Sequence, residues 1–551
     1  MTDQLVIGIA QINPVVGDIL GNVKKVRAAW ERLGEADLII YPELVISGYP
    51  AEDLVMKPAF AEECRAAVER LAVDTVNGPA MLVGLPWLEN SQLYNAVALL
   101  DAGQISAVRY KVDLPNYDVF DEKRVFAAGP MPGPINFRDV RIGVPICEDI
   151  WSPDVVECLE ESGAELLLVP NSSPFELGKA EVRLNHVVAR VTESNLPLVY
   201  VNQVGGQDEL VFDGASFVID GHRKLRAQLS GWEEDFALTR WQRDQNGSWS
   251  CAQGTVAKVP EGLASIYQAA MLGLRDYVNK NGFPGVILGL SGGIDSALSA
   301  ALAVDALGAD RVRCVMMPSP YTSQESLEDA AACAAMLGIE YESISIGPAM
   351  QAFDAMLKDA FLGTEVGVTE ENIQSRSRGL TLMALSNKFG DMVLSTGNKS
   401  EMAVGYATLY GDMCGGYNAI KDIYKTTVFQ LSDWRNQYVP LGGKGSPGAV
   451  MPERIISKPP SAELRPDQKD EDSLPPYDEL DGILQALVED ERSVADVVAA
   501  GYNEETVRRV WRLLDLSEYK RRQAPPGPKI TRKNFGKDRR YPITNGFRRQ
   551  I

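Results

Sequence analysis

Short apolar runs alternate with amphipathic stretches through the first half of the chain. LVIGIAQI (5–12) is followed by NVKKVRAAWERLGE (22–35) and then by ADLIIYPEL, and AMLVGLPWL, VRIGVPICED, ELLLVPNSS and LPLVYVNQV continue the rhythm. Runs of four to eight aliphatic residues read as strands and a 3.6-residue apolar spacing reads as helix, so the alternation predicts an α/β layered domain. Periodicity is lost in RWQRDQNGSWSCAQGTVAKVPEG (240–262), which is polar and contains glycine. This stretch predicts a first domain over 1–245, a linker over 246–262 and a second domain over 263–551.

The second domain opens on an amphipathic helix, LASIYQAAMLGLRDYVNKNG, followed by the apolar strand GVILGL, a glycine-rich turn and the alanine-rich helix SALSAALAVDALG. Strand, turn and helix in that order begin a parallel nucleotide-binding sheet. VRCVMMP and DMVLSTG are further strands, each preceded by a helical stretch. Residues 441–477 are rich in Gly, Pro and charge and predict a long loop of the kind that often covers a site.

With 551 residues, 45% hydrophobic and 23% charged, the composition excludes disorder and low-complexity architectures. No leader-like segment and no run of 18 apolar residues is found, so a cytoplasmic location and no membrane partner are expected. Seven cysteines without CxxC spacing indicate neither a disulfide framework nor a zinc site. The only histidines are His186 and His222, so a general base is expected to be a carboxylate. A net charge of −21 repels nucleic acid. Residues 519–551 nevertheless hold eleven Lys and Arg against the single acid Asp538, which calls for a local partner: an anionic substrate or the acidic surface of a neighbouring subunit in a homo-oligomer.

The turn Gly289-Leu290-Ser291-Gly292-Gly293-Ile294-Asp295-Ser296 lies between a strand and a helix, where free backbone N–H groups and the helix dipole favour an anion. Gly292 and Gly293 permit close approach of phosphate, Ser291 and Ser296 offer hydroxyls, and Asp295 offers a hard oxygen suited to Mg²⁺. The turn lacks both the GK[ST] of a Walker A loop and a GxGxxG fingerprint. It resembles the PP-loop of the ATP pyrophosphatases, which cleave ATP to AMP and pyrophosphate while adenylating an acceptor. STGNKSEMAVGYATLYGD (395–412), EENIQSRSRG (370–379), KDIYKT (421–426), ISKPPSAEL (456–464) and SEYKRRQ (517–523) narrow the resemblance to the NAD synthetases. That resemblance implies that Thr396, Lys425 and Ser461 bind ATP with the loop. It also implies that Glu401 joins Asp295 at Mg²⁺ or touches the acceptor, and that Asn372, Arg376, Arg378, Tyr519 and Lys520 hold deamido-NAD. Leu409 stands where ammonia-dependent members carry Lys.

In the first domain, three apolar runs end on reactive side chains: Glu43 after IIYP, Lys111 after VRY and Cys147 after GVPI. Strand ends of this kind are expected to converge at one sheet edge. Cysteine can attack an amide carbon, glutamate can take the thiol proton and later activate water, and lysine can stabilise the oxyanion, so no histidine is needed. Over about residues 4–220, with NYDVFDEKRVF and LLLVPNSSPF, the chain resembles the carbon–nitrogen hydrolase (nitrilase) family. The resemblance implies Glu43 as base, Lys111 as oxyanion stabiliser, Cys147 as nucleophile and Glu122 as an accompanying carboxylate. Tyr117, Ser173 and Lys179 match positions that hold glutamine in the NAD synthetase version of this domain.

The expected fold is therefore α/β: a nitrilase-like αββα sandwich followed by a Rossmann-like parallel-sheet ATP pyrophosphatase domain. The pairing resembles the glutamine-dependent NAD synthetase family. It implies the small-molecule substrates glutamine, ATP and deamido-NAD, with Mg²⁺ as cofactor and ammonia passed along a protected route. A glutamine-dependent PP-loop ligase with a different acceptor is the alternative.

Overall fold

In the computed structural model, which describes residues 3–466 and 468–547, the chain divides into two units, Met1–Pro260 and Glu261–Ile551. The first unit is built on two sheets. The seven-stranded sheet runs in the spatial order Trp249–Cys251, Asp235–Arg243, Gln4–Gln11, Leu38–Ile40, Ala80–Glu89, Gln92–Asp101 and Gln104–Tyr110. The six-stranded sheet runs Leu225–Gln228, Phe217–Ile219, Leu198–Asn202, Leu166–Asn171, Val140–Gly143 and Ile135–Phe137.

Alternation along each strand sorts its side chains to two faces, and both faces are covered. Ile7, Ile9, Leu38, Ile40, Leu82 and Val97 meet Ile142, Leu166, Leu168, Val199 and Val201 in a core between the sheets. The outer face of the seven-stranded sheet packs on helices Ile19–Arg32 and Pro58–Asp74, and that of the six-stranded sheet on Asp154–Glu161 and Lys179–Ser194. The first helix shows how the sequence directs this packing. Asp18 caps it by accepting the Gly21 N–H at 2.9 Å, and Ile19, Val23, Val26 and Ala29 form the buried stripe. The result is the αββα sandwich.

The expected linker is revised by this architecture. Trp249–Cys251 pairs antiparallel with Asp235–Arg243, and Trp249 and Cys251 are buried in the inter-sheet core. The polar text around Asn246 and Gly247 is the turn of that hairpin, with Gly247 at φ +89°. The first unit accordingly extends to Pro260.

In the second unit, Glu340–Ser343, Val312–Met316, Val286–Gly289 and Met392–Val393 lie side by side, all parallel. Helix Ile294–Leu307 follows Val286–Gly289 after the glycine-rich turn, and every residue of it but Asp295 is buried, which its alanine content permits. Residues 441–477 are largely loop, interrupted by the short helix Glu453–Ser457 and a turn at Asp470–Asp472. Through residue 539 the basic C-terminal segment packs into this unit. Arg521 and Arg539 pair with Glu518, and Lys529 pairs with Asp538, all buried inside this unit.

Candidate active sites

Glu43, Lys111 and Cys147 meet in the first unit, drawn from two sheets rather than one edge. Glu43 and Lys111 follow strands Leu38–Ile40 and Gln104–Tyr110 of the seven-stranded sheet, and Cys147 follows Val140–Gly143 of the six-stranded sheet. The Lys111 ammonium, wholly buried, donates to Glu43 Oε1 at 2.7 Å and to Glu122 Oε1 at 2.9 Å. Burial pulls Lys111 down, but Glu122 and Glu43 outweigh it and hold the ammonium well above its ordinary value. Glu43 is fixed further by Asn95 Nδ2 (2.7 Å) and the Ser172 N–H (3.0 Å), and Glu122 by the Tyr49 hydroxyl (2.8 Å).

Burial and the Glu43 charge push the Cys147 thiol up, against the opposing pull of Lys111. A thiol of this kind needs a base at the moment of attack, and Glu43 is the carboxylate acting on it most strongly. Cys147 sits at φ +48°, a left-handed conformation uncommon outside glycine, at the start of the tight turn Cys147–Ile150. Asp149 secures that turn. Its Oδ2 accepts the Ile146 N–H at 2.9 Å, while its Oδ1 accepts the N–H groups of Val112 (3.0 Å) and Asp113 (2.8 Å) beyond Lys111. One carboxylate thus ties the Cys147 turn to the strand end that carries Lys111.

Among the expected glutamine contacts, Tyr117 donates to Glu148 Oε1 at 2.8 Å, and the Lys179 ammonium lies 5.1 Å from the Trp151 ring centre. Ser173 is buried, and its N–H is held by Asn202 Oδ1 at 2.9 Å. Sequence reasoning missed Glu148, Asp149 and Asn95. The first two follow Cys147 directly, and Asn95 was visible as a polar residue inside the apolar run YNAVALL.

In the second unit the PP-loop borders a cavity of about 780 Å³. Gly292 lies at φ +78°, and a Cβ there would stand 2.3 Å from the Ser326 carbonyl oxygen, so only glycine fits. The Ser291 and Ser296 hydroxyls are 3.1 Å apart and bond within the loop. Asp295 accepts from Asn398 Nδ2 at 2.9 Å and from the Lys425 ammonium, which also reaches Glu401 Oε1 at 3.3 Å. Glu401 and Asn398 form a capping box at the start of helix Lys399–Val404. Burial, reinforced by Asp295, raises the Glu401 carboxyl to about 8.

The structure brings Gly289, Leu290, Ser291, Gly293, Ile294, Asp295, Ser296, Thr396, Lys425 and Ser461 to the cavity wall, together with Arg378 and Glu401. Gly292 stands behind the wall. Asn372, Arg376, Tyr519 and Lys520 are not on it either. Asn372 accepts from Thr408, which is on the wall, and Arg376 donates to the Leu409 carbonyl. The Lys520 ammonium donates to the carbonyls of Gly405 and Ala407, both at 2.7 Å.

Mg²⁺ is tested by the donor set. Asp295 and Glu401 already converge on one cation, the Lys425 ammonium, so their oxygens aim at a common point. Among the described residues no group of three or more His, Cys, Asp or Glu is arranged as a metal site. Mg²⁺ is commonly held by one or two carboxylates plus substrate phosphates, which these two residues suit.

A buried cysteine–glutamate–lysine cluster and a PP-loop bordering a cavity, in one chain, fit a ligase of the amidotransferase class. Residues 6–250 match the carbon–nitrogen hydrolase family and residues 266–524 the NAD synthase family. The chain is 49% identical to a glutamine-dependent NAD(+) synthetase of Rhodobacter capsulatus, with 100% of both chains covered. It is 45% identical to one of Acinetobacter baylyi over 98% of both. A solved structure of a glutamine-dependent NAD+ synthetase from Acinetobacter baumannii, in complex with adenosine diphosphate, matches at TM-score 0.78 and 44% identity over 99% of both chains. One from Cytophaga hutchinsonii shares the fold at TM-score 0.82 and 23% identity over 98% of both. The chain belongs to the glutamine-dependent NAD(+) synthetase family.

Proposed function

We propose that the chain makes NAD from deamido-NAD, using ATP and the amide nitrogen of glutamine, and releases AMP, pyrophosphate and glutamate. The observation that carries this reading is the coexistence of a histidine-free amidase centre and an SGGIDS phosphate loop in one chain. At the first site Cys147 Sγ attacks the glutamine amide carbon as Glu43 takes the thiol proton, and the Lys111 ammonium stabilises the tetrahedral oxyanion. Glu43 returns the proton to the departing ammonia and then activates the water that hydrolyses the thioester. Glu122 keeps Lys111 charged. Tyr117, Ser173 and Lys179 hold the glutamine, with Glu148 beside Tyr117.

At the second site the N–H groups and hydroxyls of residues 289–296, with Thr396, Lys425 and Ser461, hold the ATP phosphates. The nicotinate carboxylate of deamido-NAD attacks the α-phosphorus and pyrophosphate leaves. Ammonia then attacks the carboxyl carbon of the adenylate and AMP leaves. Arg378 and Glu401 are the acceptor-side groups on the cavity wall, with Asn372, Arg376 and Tyr519 outside it. Mg²⁺ bound by Asp295 and Glu401 would offset phosphate charge. Ammonia passes to the second site without equilibrating with solvent, since in neutral water it becomes ammonium and loses its lone pair.

All seven cysteines carry free thiols, which supports a cytoplasmic enzyme. Among the described residues, no helix is long and apolar enough to cross a membrane. Product analysis with deamido-NAD, ATP, Mg²⁺ and either glutamine or ammonium tests the proposal. NAD, AMP and pyrophosphate in equal amounts are expected, and pyrophosphate release that requires a different acceptor would overturn it.

A further inference from the structure

Helix Lys399–Val404 is gripped at both ends by the basic C-terminal segment. At its start the fully buried Lys399 ammonium is surrounded by Glu489 Oε1, the Thr531 hydroxyl, the Lys533 carbonyl (2.8 Å) and Asp422 Oδ1 (2.9 Å). Asp422 also accepts the N–H groups of Ile530 (2.8 Å) and Thr531 (2.7 Å), and Glu489 accepts that of Lys533 (2.7 Å). These contacts bind the C-terminal chain around Lys399. At the other end of the helix, Arg521 donates to the Ala403 carbonyl at 2.6 Å and Lys520 to those of Gly405 and Ala407. Ala403 is in the helix's last turn, where a cation satisfies an open acceptor and matches the dipole, and Gly405 and Ala407 lead directly out of it. The buried Phe535 ring joins the two grips, with the Lys399 ammonium 5.6 Å and the Arg521 guanidinium carbon 4.9 Å from its centre.

A helix of six residues has too few internal hydrogen bonds to fix its own position, so its placement comes from these contacts. What it places is chemically consequential. Asn398, its cap, donates to Asp295, and Glu401 shares Lys425 with Asp295. We propose that residues 518–539 form a two-ended clamp that holds Asn398 and Glu401 against Asp295, with Lys399, Lys520 and Arg521 as positioning residues for the ATP-using site. Within this segment Lys520, Arg521, Lys529 and Arg539 bond to acceptors inside the unit. The clamp rests on the reading of Asp295 and Glu401 given under the proposed function.

The test uses full-length protein carrying Thr531→Val, Arg521→Gln, Lys520→Ala, Lys399→Met or Lys399→Arg, assayed with ammonium as nitrogen source over a Mg²⁺ titration. Loss of a group that orients metal-binding residues typically costs about 10–100-fold in activity or metal affinity. Thr531→Val and Arg521→Gln are therefore expected to lower kcat and raise the half-saturating Mg²⁺ concentration by about that factor. KM for deamido-NAD should stay within about twofold and glutamine hydrolysis should be unchanged. A purely structural role would lower the melting temperature without moving the Mg²⁺ dependence of the folded fraction. Lys399→Arg, which keeps the charge, should retain more activity than Lys399→Met. If Lys399→Met fails to melt cooperatively, Thr531→Val decides, because it removes a single hydroxyl. Folded variants with wild-type kcat and Mg²⁺ dependence would overturn the clamp. So would a rise in deamido-NAD KM alone in Lys520→Ala, which would return Lys520 to the substrate. Failure of the functional reading is distinct: wild-type protein would then form no NAD from deamido-NAD, ATP and ammonium.

Discussion

The chemistry proposed for the first site turns on the Cys147 thiol, which burial and the Glu43 carboxylate push above its ordinary pKa. Glu43 is held by Lys111, Asn95 and the Ser172 N–H with both carboxylate oxygens engaged, so its orientation is set before substrate arrives. Cys147→Ala removes the proposed nucleophile and leaves the φ +48° turn as strained as before, since alanine and cysteine pay the same penalty there. Glutamine-dependent synthesis should vanish and ammonium-dependent synthesis should persist near the wild-type rate. Steady-state assays with each nitrogen source check this, and equal loss with both would remove Cys147 from its role. Glu43→Gln should show the same selectivity, because an amide cannot accept the thiol proton.

At the scale of elements, two glycines show how closely strands and loops must approach. Gly84 lies in strand Ala80–Glu89, and a Cβ on it would stand 2.3 Å from the Leu44 backbone nitrogen and 3.0 Å from the Glu43 carbonyl carbon. Gly84→Ala must push the Glu43 loop aside. A displacement of about 1 Å can cost on the order of 100-fold in rate, so glutaminase turnover should fall by that much while ammonium-dependent synthesis holds. Gly292→Ala meets both a φ of +78° and the Ser326 carbonyl, and should suppress synthesis with either nitrogen source. Isothermal titration with ATP should show weakened binding. The PP-loop was legible in the sequence because strand, turn and helix are contiguous there. The strand Trp249–Cys251 was not, because its three residues gain their meaning only by pairing with Asp235–Arg243 and burying Trp249. Asn95 and Asp149 were missed for a related reason: their partners lie dozens of residues away, at Glu43 and at Val112 and Asp113. The motif around Lys520 points to substrate, and its bonds to the Gly405 and Ala407 carbonyls become visible only in the fold.

Across the whole molecule, two units carry two sites, and the sites should fail separately. Asp295→Asn withdraws one of the two carboxylates proposed for Mg²⁺, so synthesis should drop with glutamine and with ammonium alike, while glutamine hydrolysis assayed alone continues. The transfer of nitrogen between the sites is tested by competition. With ¹⁵N in the glutamine amide and excess ¹⁴N ammonium in the buffer, ammonia that left the protein would mix with the large unlabelled pool before attacking the adenylate. At neutral pH that pool is mostly ammonium, which lacks a lone pair, so released nitrogen would be diluted into it and would react only through the small unlabelled-dominated ammonia fraction. A protected route predicts NAD whose amide is predominantly ¹⁵N, at a ratio that does not fall as buffer ammonium rises through the range where it alone supports little synthesis. Mass spectrometry of the product reads the ratio directly. Cys147→Ala supplies the control: with the label unreleased, every NAD formed should carry ¹⁴N. Product label that tracks the bulk ratio in the wild-type protein would mean that ammonia equilibrates with solvent, and the two sites would then share a chain without sharing their intermediate.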